Sequence, residues 1–153
     1  MVMTRPFEAG AVVRDLALME RFYCEVLGCH AVHRSCVPGS VGGPAGLGGE
    51  LEVVWLQVPS GGCVKLIRPR SAPVSAPPVV SLTGRLGLSY LTFHLDDVEP
   101  VVSALAAAGA RPLSDPVVVR VRGRRISFWA DPEGNAVELV DARGEDPGPG
   151  HSN

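Results

Sequence analysis

The chain has 153 residues, 46% of them apolar and 20% charged, with a formal net charge of −2. That balance excludes a disordered polyelectrolyte and gives no basic excess with which to hold nucleic acid. No apolar run approaches the length of a membrane span, and "MVMTRPFEAG" lacks the apolar core of a signal peptide, so a soluble cytoplasmic protein is expected.

In chain order, "AVVRDLALMERFYCEVLG" (11–28) reads as an apolar strand, an "RD" turn and an amphipathic helix ending at Gly28. Asp15 stands where its carboxylate would cap the first backbone N–H groups. His30 and His33 follow the helix end, and are expected to be exposed strand or loop residues. "SCVPGSVGGPAGLGGE" (35–50) is rich in Gly and Pro and reads as a flexible loop, a candidate lid. It lacks the spacing and the lysine of a nucleotide-binding loop. "VVWLQVPSGGCVKLI" (53–67) reads as a strand hairpin with glycines in the turn. A Pro- and Ser-rich stretch up to residue 87 reads as a linker.

Then the pattern returns. "FHLDDVEPVVSALAAAG" (93–109) repeats strand, aspartate turn and helix, with Asp97 over Asp15 at an offset of 82. "RVRGRR" (120–125) gathers four arginines and reads as a solvated hairpin. "ISFWADPEGNAVELV" (126–140) lies over 53–67 without a gap, at an offset of 73. Pro59 matches Pro132, Gly61 matches Gly134, and Lys65 matches Glu138. The tail "RGEDPGPGHSN" is expected to be disordered. The organisation expected is one domain of two modules: module 1 over about 5–68, a linker over about 69–87, module 2 over about 88–142, and a tail over 143–153. Cys24, Cys29, Cys36 and Cys63 contain no Cys-x-x-Cys pair and are expected to be free thiols.

A βαβββ unit written twice resembles the vicinal oxygen chelate superfamily, which includes glyoxalase I, extradiol dioxygenases and bleomycin-resistance proteins. The resemblance rests on "VVRDLALMERFYCEVLG", "LTFHLDDVEPVVSALAAAGAR" and "DPEGNAVEL". It implies an α+β fold in which two βαβββ modules curve a mixed sheet around a cleft. It also implies a small-molecule ligand and a homodimer. In metal-dependent members of that family the ligands come from the first and last strands of each module. Seven residues before the turn aspartates stand Glu8 and Tyr90, and the last-strand positions are Lys65 and Glu138. The family's usual residues there are His, Glu or Gln.

Strand alternation gives an independent check. Leu91, Phe93 and Leu95 form one apolar face of "SYLTFHL", which turns Tyr90, Thr92 and His94 to the other. The same parity turns Glu138 and Lys65 away from the helices. Lysine offers no lone pair while charged, and tyrosine is a rare ligand for zinc, nickel or magnesium. No cofactor is therefore favoured; a divalent metal, if bound, would use Glu8, Glu138 and His94. The expected catalytic residues are Glu138, Tyr90 and Glu8, and the expected substrate-binding residues are Lys65, His94, Thr92, Trp55 and Trp129. Of the two tryptophans, one is expected to line the cleft and the other to pack under a helix. The expected activity is that of a lyase or isomerase working through enolate-type chemistry. The alternatives are a metal-free small-molecule binding or resistance protein of the antibiotic-binding kind, and a scaffold that has lost its site. Glyoxalase I and dioxygenase activities are disfavoured, because both need the metal.

Overall fold

The computed structural model describes residues 5–77, 81–121 and 123–141. The expected tail at 143–153 and Arg122 of the arginine run lie outside these residues. The chain divides into two compact units, residues 1–77 and 78–153.

Unit 1 runs β1 (Glu8–Val12), α1 (Leu16–Glu25), β2 (His30–Val37), a short α2 (Gly39–Gly42), β3 (Leu51–Gln57) and β4 (Cys63–Pro69). Its four strands form one sheet in the order β1-β4-β3-β2, with β1 parallel to β4 and the other pairs antiparallel. Helix α1 starts where Asp15 accepts a 2.9 Å hydrogen bond from the Leu18 N–H, so the capping aspartate is seen directly. It ends before Gly28, whose φ of 69° suits a residue without Cβ. One helix face buries Leu16, Met19, Phe22 and Tyr23. Val54 and Leu56 of β3 are buried, as are Val64 and Leu66 of β4. Each fully buried leucine contributes about 1.5–3 kcal/mol.

Unit 2 repeats the plan with β5 (Tyr90–Leu95), α3 (Glu99–Ala107), β6 (Val119–Val121), β7 (Arg124–Ala130) and β8 (Ala136–Asp141). Its sheet order is β5-β8-β7-β6, again with a parallel pair, β5 with β8. The α+β fold of two like units is thus present, and both hairpins share their register. Trp55 pairs with Lys65 in β3–β4, and Phe128 pairs with Glu138 in β7–β8.

Three expectations are corrected. The loop expected at 35–50 starts later, because Ser35, Cys36 and Val37 pair with Val53, Glu52 and Leu51 as the end of β2. Residues 39–42 then form a helical turn rather than open loop. The cap of α3 is Val98, not Asp97; Asp97 still accepts from the Glu99 N–H at 3.1 Å, but shares its carboxylate with Arg125. Finally, the arginine run is not wholly solvated. Arg125 turns inward to Asp97, Glu99 and Asp141, the last of which is fully buried. Asp141 first, and then Asp97, push the Arg125 guanidinium above its usual pKa.

Candidate functional site

In each unit the sheet has a packed face and a face turned away from the helix. The candidate residues other than Trp129 fall on the second, and each unit presents its own set.

In unit 1 the core of the set is Lys65. Its neighbours along β4, Val64 and Leu66, point to the packed face, so alternation puts the ammonium on the other. Glu8 enters from the edge strand β1 and pairs with it at 2.5 Å. Both side chains are about one-third exposed, so solvent screening keeps the pair near 1 kcal/mol or below. Trp55, directly across the ladder, lies with its ring centroid 5.5 Å from the ammonium. His33 of β2 packs on the same indole, centroids 4.9 Å apart. Trp55 and His33 also border a cavity of about 440 Å³, whose other walls include Arg5, Glu8, Val32 and Gln57. Gln57 is held by its amide donating to the carbonyls of Val58 and Gly62 at 3.0 and 2.8 Å.

In unit 2 the core is Glu138. It sits mid-strand between the buried Val137 and Leu139, and is itself half-exposed. Thr92 lies directly opposite on β5, and its hydroxyl donates a 2.6 Å hydrogen bond to Glu138 Oε2. Thr92 is the hydrogen-bond partner of Glu138 among the described residues. Tyr90, one pleat away on the same face, packs edge-on against Phe128 with centroids 5.3 Å apart. His94 lies one pleat beyond Thr92 and is exposed. It belongs to this face of β5, but no hydrogen bond joins it to Glu138 or Thr92 among the described residues.

Trp129 departs from the expected substrate-binding set. It is 2% exposed, on the packed face with Val137 and Leu139, and its Nε1 donates to Ser127 Oγ at 2.8 Å. Trp55 is the half-buried indole on the exposed face of its own unit. Phe128, not Trp129, occupies the position equivalent to Trp55, 73 residues on. That equivalence is legible in the gapless match of 53–67 with 126–140. The role of His33 against Trp55 had no sequence signal, since it depends on the pairing of β2 with β3.

The resemblance places metal ligands at Glu8, Lys65, Tyr90 and Glu138, and strand alternation adds His94 as a further nitrogen. These residues do not fit a metal ion. Lys65 puts a cation where a ligand should be and engages Glu8 with it. Tyr90 packs as an aromatic, and one oxygen of Glu138 accepts from Thr92. Among the described residues no group of three or more His, Cys, Asp or Glu side chains is placed to hold a metal. No helix among them is long and apolar enough to cross a membrane.

Comparison with known proteins gives the following. The model of the Glyoxalase/Bleomycin resistance protein/Dioxygenase superfamily matches residues 6–139. A glyoxalase family protein from Bacillus cereus is 24% identical, with a TM-score of 0.79 over 94% of this chain and 97% of that one. A glyoxylase/bleomycin resistance protein/dioxygenase domain from Frankia sp. EAN1pec is 19% identical, with a TM-score of 0.70 over 95% of each chain. The trypanothione-dependent glyoxalase I of Leishmania major is 19% identical, with a TM-score of 0.64 over 91% of this chain and 87% of that one. At these identities the structures share the fold. No curated protein matches significantly in sequence.

Proposed function

The chain belongs to the Glyoxalase/Bleomycin resistance protein/Dioxygenase superfamily, and from that premise we propose that it is a metal-independent lyase or isomerase acting on a small oxygenated metabolite, with Glu138 as its base. One observation carries this reading: a carboxylate in the middle of a strand, on the exposed face, held by a 2.6 Å hydrogen bond from Thr92. A carboxylate without work to do is more cheaply placed at a strand end. Here one oxygen is tied down, which fixes the direction of the other.

The chemistry available is proton transfer next to a carbonyl. Glu138 takes the proton from the carbon, and the electron pair moves onto the carbonyl oxygen as an enolate. Tyr90, with its ring braced by Phe128, supplies an O–H on the same face of unit 2 to receive that oxygen. Return of the proton to a neighbouring carbon gives an isomer; loss of a leaving group gives a lyase product.

The test is exchange of carbon-bound protons in D₂O, followed by proton NMR, on a panel of small 2-oxo and 2-hydroxycarbonyl compounds. Wild type should exchange at least one of them above the buffer rate, and EDTA should leave the rate unchanged. Glu138→Gln should lower it by roughly 10²–10⁴-fold. Exchange at the wild-type rate in Glu138→Gln would sink the reading. A binding protein without turnover is the second reading, favoured by the Trp55, His33 and Lys65 grouping in unit 1. Recovery of a co-purified ligand, chemically unaltered after incubation, would select it. We also propose a homodimer, since β1, β2, β5 and β6 are edge strands of their own sheets. Sedimentation equilibrium measures this directly.

A further inference from the structure

The cavity of unit 1 is not explained by the Glu138 chemistry, and its lining is specific. One wall is apolar and planar, made by the Trp55 ring with Val32 beside it. The charges around it do not cancel. Arg5 lines the cavity with no ionic partner among the described residues. Lys65 is not itself a lining residue, but its ammonium stands 2.5 Å from the lining carboxylate of Glu8; with Arg5 it makes two cations against that one carboxylate, which leaves one positive charge in excess. Lys65 has three N–H donors, of which Glu8 needs one. A cationic ligand would meet the ammonium that already lies over Trp55. A dianion would overshoot the excess and face Glu8. A neutral ring would leave that one charge unmatched.

We propose that this cavity is a binding site for a planar aromatic monocarboxylate. The ring stacks against Trp55 and Val32, and the carboxylate lies between the Arg5 guanidinium and the free N–H groups of Lys65. The inference stands on unit 1 alone and is independent of Glu138.

The probes are 2-naphthoate and its neutral isostere 2-naphthamide, titrated into the full chain by calorimetry and by quenching of tryptophan fluorescence. Naphthoate should bind at least tenfold more tightly than the amide, and 0.5 M NaCl should remove most of the difference. Lys65→Met and Arg5→Gln should each weaken naphthoate about tenfold. Glu8→Gln should tighten it several-fold, because the competing carboxylate is gone. Trp55→Phe should abolish the quench while leaving the circular dichroism unchanged. Equal affinity for acid and amide, weaker binding in Glu8→Gln, or no binding at millimolar naphthoate would each overturn the proposal. Should Lys65→Met not fold, the acid-to-amide ratio and the sign of the Glu8→Gln effect still decide it.

Discussion

The two units hold the same ion pair with its charges exchanged, and this makes a quantitative prediction. Glu52 pairs with Arg68 across β3–β4, and 73 residues on Arg125 pairs with Asp141 across β7–β8. Topology is equal, but burial is not. Arg68 and Glu52 are 45% and 47% exposed, whereas Asp141 is at 0%. Asp141 also accepts from the Val98 N–H at the start of α3, at 3.3 Å. The Val98 N–H and the guanidinium donate to the same oxygen, Oδ2, so Asp141→Asn keeps the volume but offers both donors a neutral amide in place of a carboxylate. Loss of a buried hydrogen bond to a charged partner costs about 1.5–3 kcal/mol. Arg68→Gln breaks an exposed pair and should cost about 1 kcal/mol or less. The assay is urea unfolding in a Trp55→Phe background, where Trp129 of unit 2 reports as the remaining one of two tryptophans. With a slope of about 1–3 kcal/mol/M, Asp141→Asn should move the midpoint by roughly 0.5–3 M. Salt at 0.5 M should erase the Arg68→Gln effect and leave most of the other. A midpoint shift in Asp141→Asn no larger than in Arg68→Gln would refute the reasoning.

Three further predictions follow from single positions. Burial first, then the neighbouring Cys24 and Cys63, push the Cys29 thiol up to about 12 from 9.0. The folded chain thus keeps a proton that the unfolded chain gives up, so this stabilisation is complete below pH 9 and drains as pH rises toward 12, by at most about 4 kcal/mol. The stability difference between wild type and Cys29→Ala, from urea unfolding at several pH values, should shrink between pH 9 and 11; a constant difference would count against it. A Cβ on Gly42 would meet the Gly49 carbonyl oxygen at 1.9 Å, so Gly42→Ala should cost about 1–3 kcal/mol and speed limited proteolysis within 38–50. Wild-type cleavage rates would show that the contact is not needed. Thr92→Val removes the hydroxyl that orients Glu138 and should lower proton exchange about tenfold, with Thr92→Ser close to wild type. Equal rates in all three would remove Thr92 from the mechanism.

Much of the framework was legible because the chain repeats itself. The gapless match of 53–67 with 126–140 carried the hairpin register, and alternation in "SYLTFHL" separated Phe93 from Tyr90, Thr92 and His94. What escaped depends on contacts distant in sequence. The arginine run looked unopposed because the partners of Arg125 lie 16 to 28 residues away. The end of β2 was hidden because an edge strand with exposed residues on both faces has no apolar alternation. In "ISFWA" the faces of the two aromatics were ambiguous, since a polar residue marks the packed side. Ser127 is fully buried there because its hydroxyl both donates to the Val117 carbonyl and accepts from Trp129.

The divergence of the two exposed faces has a direction. On the packed faces the repeat keeps apolar residues at matched positions: Val64 and Leu66 stand for Val137 and Leu139. On the other faces the repeat keeps apolar residues at Val53 and Ile126 and at Ile67 and Val140, but the candidate positions differ. Lys65 stands for Glu138, Glu8 for Tyr90, and Trp55 for Phe128. The changes are coupled within each unit. A central cation in unit 1 has a carboxylate on the edge strand beside it, so the pair is neutral. A central carboxylate in unit 2 has a phenol and a hydroxyl on the edge strand, so its charge is oriented without being neutralised. A metal centre of the family's kind asks both units for the same type of ligand. In the functions proposed above, the Lys65 ammonium of unit 1 donates to an anion and the Glu138 carboxylate of unit 2 takes a proton. That proposed division rests on two residues, Lys65 and Glu138, at one repeated position.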